Sequence, residues 1–120
     1  MLTKKQGDIY KSFVQTITNK DMKLLSSEQR AWGKSYILNE LGLELQALGY
    51  RVFLLTEFVN HQEHFATDFI DMNSLNKFKG LDGEIIVVLV DEYRYLKMTE
   101  ILEFCVYSKI PVVGFADYSY

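Results

Sequence analysis

Two segments, Arg51 to Thr56 (RVFLLT) and Glu84 to Val90 (EIIVVLV), are apolar at nearly every position and not at alternate ones, and this constrains the fold most. A strand with one face in water alternates apolar and polar residues. A strand apolar on both faces must be covered on both, as happens inside a parallel sheet flanked by helices. The surrounding chain has the patterns to supply that cover. Residues 3–19 place Ile9, Phe13, Val14 and Ile17 at helical spacing, ending at Asn19-Lys20-Asp21. Met22 to Leu25 then reads as a short apolar strand, and Ser26 to Trp32 as a polar loop. A second helix opens at Gly33 or Lys34 with Ile37, Leu38, Leu41, Leu45 and Leu48 on one face and Gly49 as its stop.

The link Gly49-Tyr50 into Arg51 has the length of a tight helix-to-strand connection. Between 57 and 82, Phe58, Val59, Phe65, Phe69, Ile70 and Leu75 are spread among polar residues, a pattern that predicts one or two short helices. Gly80 and Gly83 bracket the turn into the most apolar run. A third helix is predicted from about Leu96 to Ser108 with Ile101, Leu102, Cys105 and Val106 inward, and Pro111 opens a last strand, Val112 to Phe115. Strands alternating with helices predict an α/β fold: three layers, a mainly parallel sheet, helices on both faces. Residues 1–120 read as a single domain with no repeat and no interdomain linker.

Composition narrows the functional classes. Hydrophobic residues make up 48% and charged residues 24% of 120, the balance of a folded globular chain. No apolar run reaches the roughly 20 residues that span a bilayer, and Met1-Leu2-Thr3-Lys4-Lys5 does not lead into the apolar core of a signal peptide. The single cysteine, Cys105, lies between Phe104 and Val106, so a buried thiol in a cytoplasmic protein is expected. A net charge of −3 disfavours a protein built to grip nucleic acid through phosphates. Lys4, Lys5, Lys11, Lys20 and Lys23 give the N-terminal segment a basic tilt that reads as a solvated helix face. The many Lys, Ile, Asn, Tyr and Phe residues match the usage of an AT-rich genome such as that of a bacterium or its phage.

Two short segments carry chemistry. Trp32-Gly33-Lys34-Ser35 stands where the polar loop enters the second helix, and Asp91-Glu92 ends the most apolar strand. The first amides of a helix lack internal acceptors and its dipole puts partial positive charge there, so a loop-to-helix junction suits phosphate. Gly33 lets the backbone approach phosphate oxygens, Lys34 is placed to reach the β- and γ-phosphates, and the Ser35 hydroxyl to bind Mg²⁺. Asp91 would hold that metal and Glu92 would orient or deprotonate the attacking nucleophile. Trp32 either stacks on a base or plugs the core. In the full pattern G-x-x-x-x-G-K-[ST] the first glycine would fall at position 28, where this chain has Glu28, a carboxylate near the expected phosphates unless Arg30 pairs with it.

On these residues the chain resembles the P-loop NTPase superfamily, in the RecA-like division with an added catalytic glutamate. The resemblance implies a core sheet of spatial order 1-4-3-2. VVLVDEYRYL, followed by a helix and IPVVGFADYSY, is similar to the thymidine kinase core. It implies the phosphate loop at Gly33, Lys34 and Ser35, the metal acid at Asp91 and the general base at Glu92. Pro111 and Gly114 then mark the strand between the loop strand and the Asp-Glu strand. Thymidine kinases continue into a Cys-rich zinc lobe, which a chain with one cysteine ending at Tyr120 does not supply, so thymidine phosphorylation is not expected.

Other segments carry weaker signals. His61 and His64 have no third ligand, and Tyr93, Arg94 and Tyr95 read as sheet rim or as a partner-facing surface. Asp117 to Tyr120 lie at the carboxyl end of the last strand, the ligand edge of such sheets. Two functions follow from different classes. The first is a small ATP- or GTP-binding domain with slow Mg-dependent hydrolysis, alone or in a homo-oligomer. The second is a degenerate P-loop domain serving as a non-catalytic module that docks on a protein partner. In order 1-4-3-2 the strand Met22 to Leu25 is a sheet edge, and the N-terminal helix or a second subunit is expected to cover it.

Overall fold

A computed structural model describes residues 2–26, 33–56, 70–71 and 85–118. Along the chain these form α1 (Lys4–Thr18), β1 (Met22–Ser26), α2 (Lys34–Ala47), β2 (Arg51–Thr56), β3 (Ile70–Asp71), β4 (Ile86–Arg94), α3 (Thr99–Tyr107) and β5 (Val112–Asp117). A 3₁₀ turn at Tyr95–Lys97 joins β4 to α3. All pairings are parallel, in the order β1-β5-β4-β2-β3. The four longer strands thus stand in spatial order 1-4-3-2, and the two-residue β3 extends the sheet beyond β2.

The continuous apolar runs have their cause in the layers. Alternate residues Val52, Leu54, Val87, Leu89, Val113 and Phe115 point to one face, where Phe13 and Ile17 of α1 and Ile37, Leu38, Leu41 and Leu45 of α2 meet them. The intervening Phe53, Leu55, Val88, Val90, Val112 and Ala116 point to the other face, against Met98 and Ile101, Leu102 and Cys105 of α3. Both sets are buried, so neither face could be polar. Phe13 meets Phe115 edge to face with centroids 5.6 Å apart, fixing α1 over β5.

Three inward assignments are corrected. Val14, Leu48 and Val106 are exposed at 39%, 67% and 63%. Val14 lies one residue round the helix from Phe13, and Ile9 and Tyr10 take the contact with the core. Leu48 is the C-cap of α2, past the last turn that meets the sheet. Val106 lies one residue round the helix from Cys105, which takes the core contact, and Met98 is fully buried just ahead of α3. Helix α3 therefore starts later than expected, at Thr99, and the strands run farther: β4 to Arg94 and β5 to Asp117. Of the segment 57–82, only Ile70–Asp71 is described, as a strand and not a helix; the remaining residues, His61 and His64 among them, lie outside the described residues.

Each helix stops in the same way. The Gly49 amide donates to Gln46 and the Tyr50 amide to Leu45, with Gly49 left-handed at φ +97°. Lys20 ends α1 and Lys109 ends α3 by the same pair of bonds, at φ +55° and +57°.

Among the described residues, β1 pairs with β5 alone. Helix α1 lies on the face of β1 and β5, and Lys23 Nζ donates to Ser12 Oγ at 2.5 Å. The Asp21 carbonyl accepts from Val112, so by alternation the Leu24 carbonyl points to the outer side. There it accepts a 2.8 Å hydrogen bond from Tyr118 Oη.

Candidate functional site

Strands β1, β2, β4 and β5 point their carboxyl ends to one edge, where α1 and α2 both begin. The junction into α2 is held by Gly33, its N-cap, in the left-handed region at φ +76° and ψ +36°. No side chain caps the helix at Gly33, so the cap position itself offers only backbone. Lys34 is the first residue of α2 and is buried to 6% exposure, unusual for a lysine. Ser35 follows, half-buried.

These residues meet the two acids of β4. Ser35 Oγ donates to both Asp91 oxygens, at 3.3 Å from Oδ1 and 3.2 Å from Oδ2, across 56 positions of sequence. Lys34 Nζ forms an ion pair with Glu92 Oε1 at 3.2 Å. Asp91 is 1% exposed, so its carboxylate is a polar group held inside the sheet edge.

Two consecutive residues of a strand normally point to opposite faces. Val90 packs on the α3 face, which turns Asp91 toward α2, and Glu92 should then point back toward α3. A bulge prevents this. Asp91 pairs with Phe115 and Tyr93 with Ala116, leaving Glu92 as the extra residue, at φ +54°. The left-handed turn directs Glu92 to Lys34, and Tyr93 resumes the α3 face. Gly114, opposite Val90, permits the close approach of β5 to β4 just before Asp91. Its φ is +149°, and a β-carbon there would collide with the Val90 carbonyl oxygen and lie 2.7 Å from the Val90 nitrogen.

Of the residues singled out in the sequence, Gly33, Lys34, Ser35, Asp91 and Glu92 come together at this edge. Trp32, Glu28 and Arg30 lie outside the described residues. Tyr95 packs on Tyr118 with ring centroids 5.1 Å apart, and it lies against the cluster on the α3 face. Burial first, and then Tyr95, hold the Tyr118 phenol above its ordinary value. Cys105 is buried on the opposite face, where desolvation pushes its thiol up to about 12, so it is inert packing. Sequence reasoning missed Gln6, whose side-chain amide lies against Gly33. The signal was present as Thr3-x-x-Gln6, a capping box that fixes where α1 begins.

Among the described residues no group of three or more His, Cys, Asp and Glu could hold a metal ion by itself, and no helix is long and apolar enough to cross a membrane. No protein-family model, curated protein or solved structure matches the chain. Fold and site together define a small α/β domain with a parallel sheet, compatible with a P-loop-like arrangement at its carboxyl edge.

Proposed function

We propose that the chain is a small P-loop domain that binds ATP or GTP with Mg²⁺ and hydrolyses it slowly. One observation carries this reading: Lys34 and Ser35 at the start of α2 are each joined to an acid at the end of β4, Lys34 to Glu92 and Ser35 to Asp91. That is the group set a nucleotide-phosphate site requires, and Gly33 supplies the bare backbone before it.

The donors suit the proposed ion. Ser35 and Asp91 present oxygen only, and Mg²⁺ is usually held by one or two carboxylates together with substrate phosphates and water. When bound, Mg²⁺ would neutralise phosphate charge and order the phosphate oxygens. Lys34 exchanges Glu92 for phosphate oxygens, which releases the Glu92 carboxylate. Glu92 then takes the proton of the attacking water as its oxygen bonds to the terminal phosphorus and the bond to the leaving diphosphate breaks. Asp91 keeps Ser35 oriented.

The second reading, a degenerate domain that binds a protein partner and no nucleotide, draws on Glu28 at the first-glycine position. Calorimetric titration of Mg-ATP and Mg-GTP, with and without EDTA, separates the two. The nucleotide reading expects Mg-dependent binding that Lys34→Ala abolishes. Equal affinity of wild type and Lys34→Ala would sink it, and no binding by either would leave the module.

A further inference from the structure

We infer that Gln6, in the first turn of α1, is a positioning residue for the phosphate loop, an inference that rests on the nucleotide reading above. Gln6 is tied to Thr3 through its side-chain oxygen and its backbone N–H. Its Oε1 accepts from the Thr3 backbone N–H at 2.9 Å, and its backbone N–H donates to Thr3 Oγ1 at 3.2 Å, the reciprocal bonds of a capping box. With Oε1 turned to its own helix, the Nε2 end faces α2 and fills the space that a β-carbon on Gly33 would occupy.

Gly33 is thus fixed twice, by its left-handed backbone and by the Gln6 amide packed on it. Both helices begin at this edge, and the same capping box that starts α1 sets the reach of Gln6 to the start of α2. A loop that receives phosphate on main-chain amides works only if those amides are held in place before the ligand arrives. Gln6 supplies that hold from outside the loop, and it makes α1 part of the site and not merely cover for the sheet. The chemistry at stake is recognition of a polyphosphate, and the neutral amide suits the place where a carboxylate would oppose it.

Gln6→Glu is the decisive variant. Glutamate at this position keeps the capping box, so α1 and the melting temperature should hold, while the amide against Gly33 becomes a carboxylate. Mg-ADP affinity by calorimetry is expected to fall about tenfold in Gln6→Glu, because a carboxylate beside Gly33 opposes the polyphosphate. Gln6→Ala should fall by less. Hydrogen exchange at the Gly33, Lys34 and Ser35 amides, measured without nucleotide, should quicken in both variants. Unchanged exchange, or affinity within twofold of wild type at unchanged stability, would overturn the role of Gln6 and leave the nucleotide reading intact. Absence of binding in the wild type would overturn that reading, and the exchange rates would still decide whether Gln6 holds the loop.

Discussion

Gly114 is the point where the sheet tolerates least change, and Gly114→Ala makes that measurable. Its φ of +149° is a region left almost entirely to glycine, so an alanine there costs about 1–3 kcal/mol in backbone strain. The added carbon also meets Val90 main chain, with nitrogen and carbonyl carbon at 2.7 and 2.8 Å. That atom set is pinned in the β4–β5 ladder and cannot swing away, adding about 1–3 kcal/mol of overpacking. The sum, about 2–6 kcal/mol, compares with a total of roughly 6–18 kcal/mol for a chain of this size. Urea denaturation followed by circular dichroism should show the midpoint falling by ~1 M or more. Gly49→Ala is the control: it too has positive φ, +97°, but its β-carbon would meet nothing within 4 Å. It should lose only the conformational share, about 1–2 kcal/mol. Equal losses in the two variants would refute the close approach of β5 to Val90 as the cause.

Three further outcomes are expected. Cys105 binds its proton more tightly folded, near 12, than unfolded, near 9.0, so its contribution is whole below pH 9 and lost as pH rises toward 12; over that window wild type should lose about 1.4 kcal/mol per pH unit more than Cys105→Ala. Lys109→Gly should raise stability by about 0.5–1 kcal/mol in the same urea assay, because a lysine at φ +57° gives way to the residue that αL helix ends favour. Phe13→Ala should cost about 3–5 kcal/mol, since it removes a fully buried ring that meets Phe115; a loss below 1 kcal/mol would show that α1 is not docked on the sheet.

Strand identity was legible because burial on both faces leaves no room for alternation, whereas the strand order followed only from the resemblance. Val87 to Val90 and Val52 to Leu55 cannot be anything but interior. The helix faces were legible only to within a turn. Val14 and Val106 are apolar yet point outward, since a valine is tolerated on a surface and its spacing from Phe13 or Cys105 does not reveal the axis of packing. The sequence also under-measured β4. Asp91, Glu92 and Arg94 are charged, a mark of strand ends, but the chain stays paired with β5 as far as Arg94.

That misjudged strand end is also where the site is made. A regular β4 would send Asp91 to the α2 face and Glu92 to the α3 face, and only one acid could meet the start of α2. The bulge at Glu92 brings both to the same helix, at the cost of placing a glutamate in a backbone region where glycine is the usual occupant. Stability alone favours glycine at that position. Lys20 and Lys109 hold the same conformation as helix stops, whereas the Glu92 side chain makes a contact glycine could not, reaching Lys34. Strain, bulge and ion pair coincide at one residue, Glu92, and that coincidence is the structural support for giving it the chemical role in the proposed function.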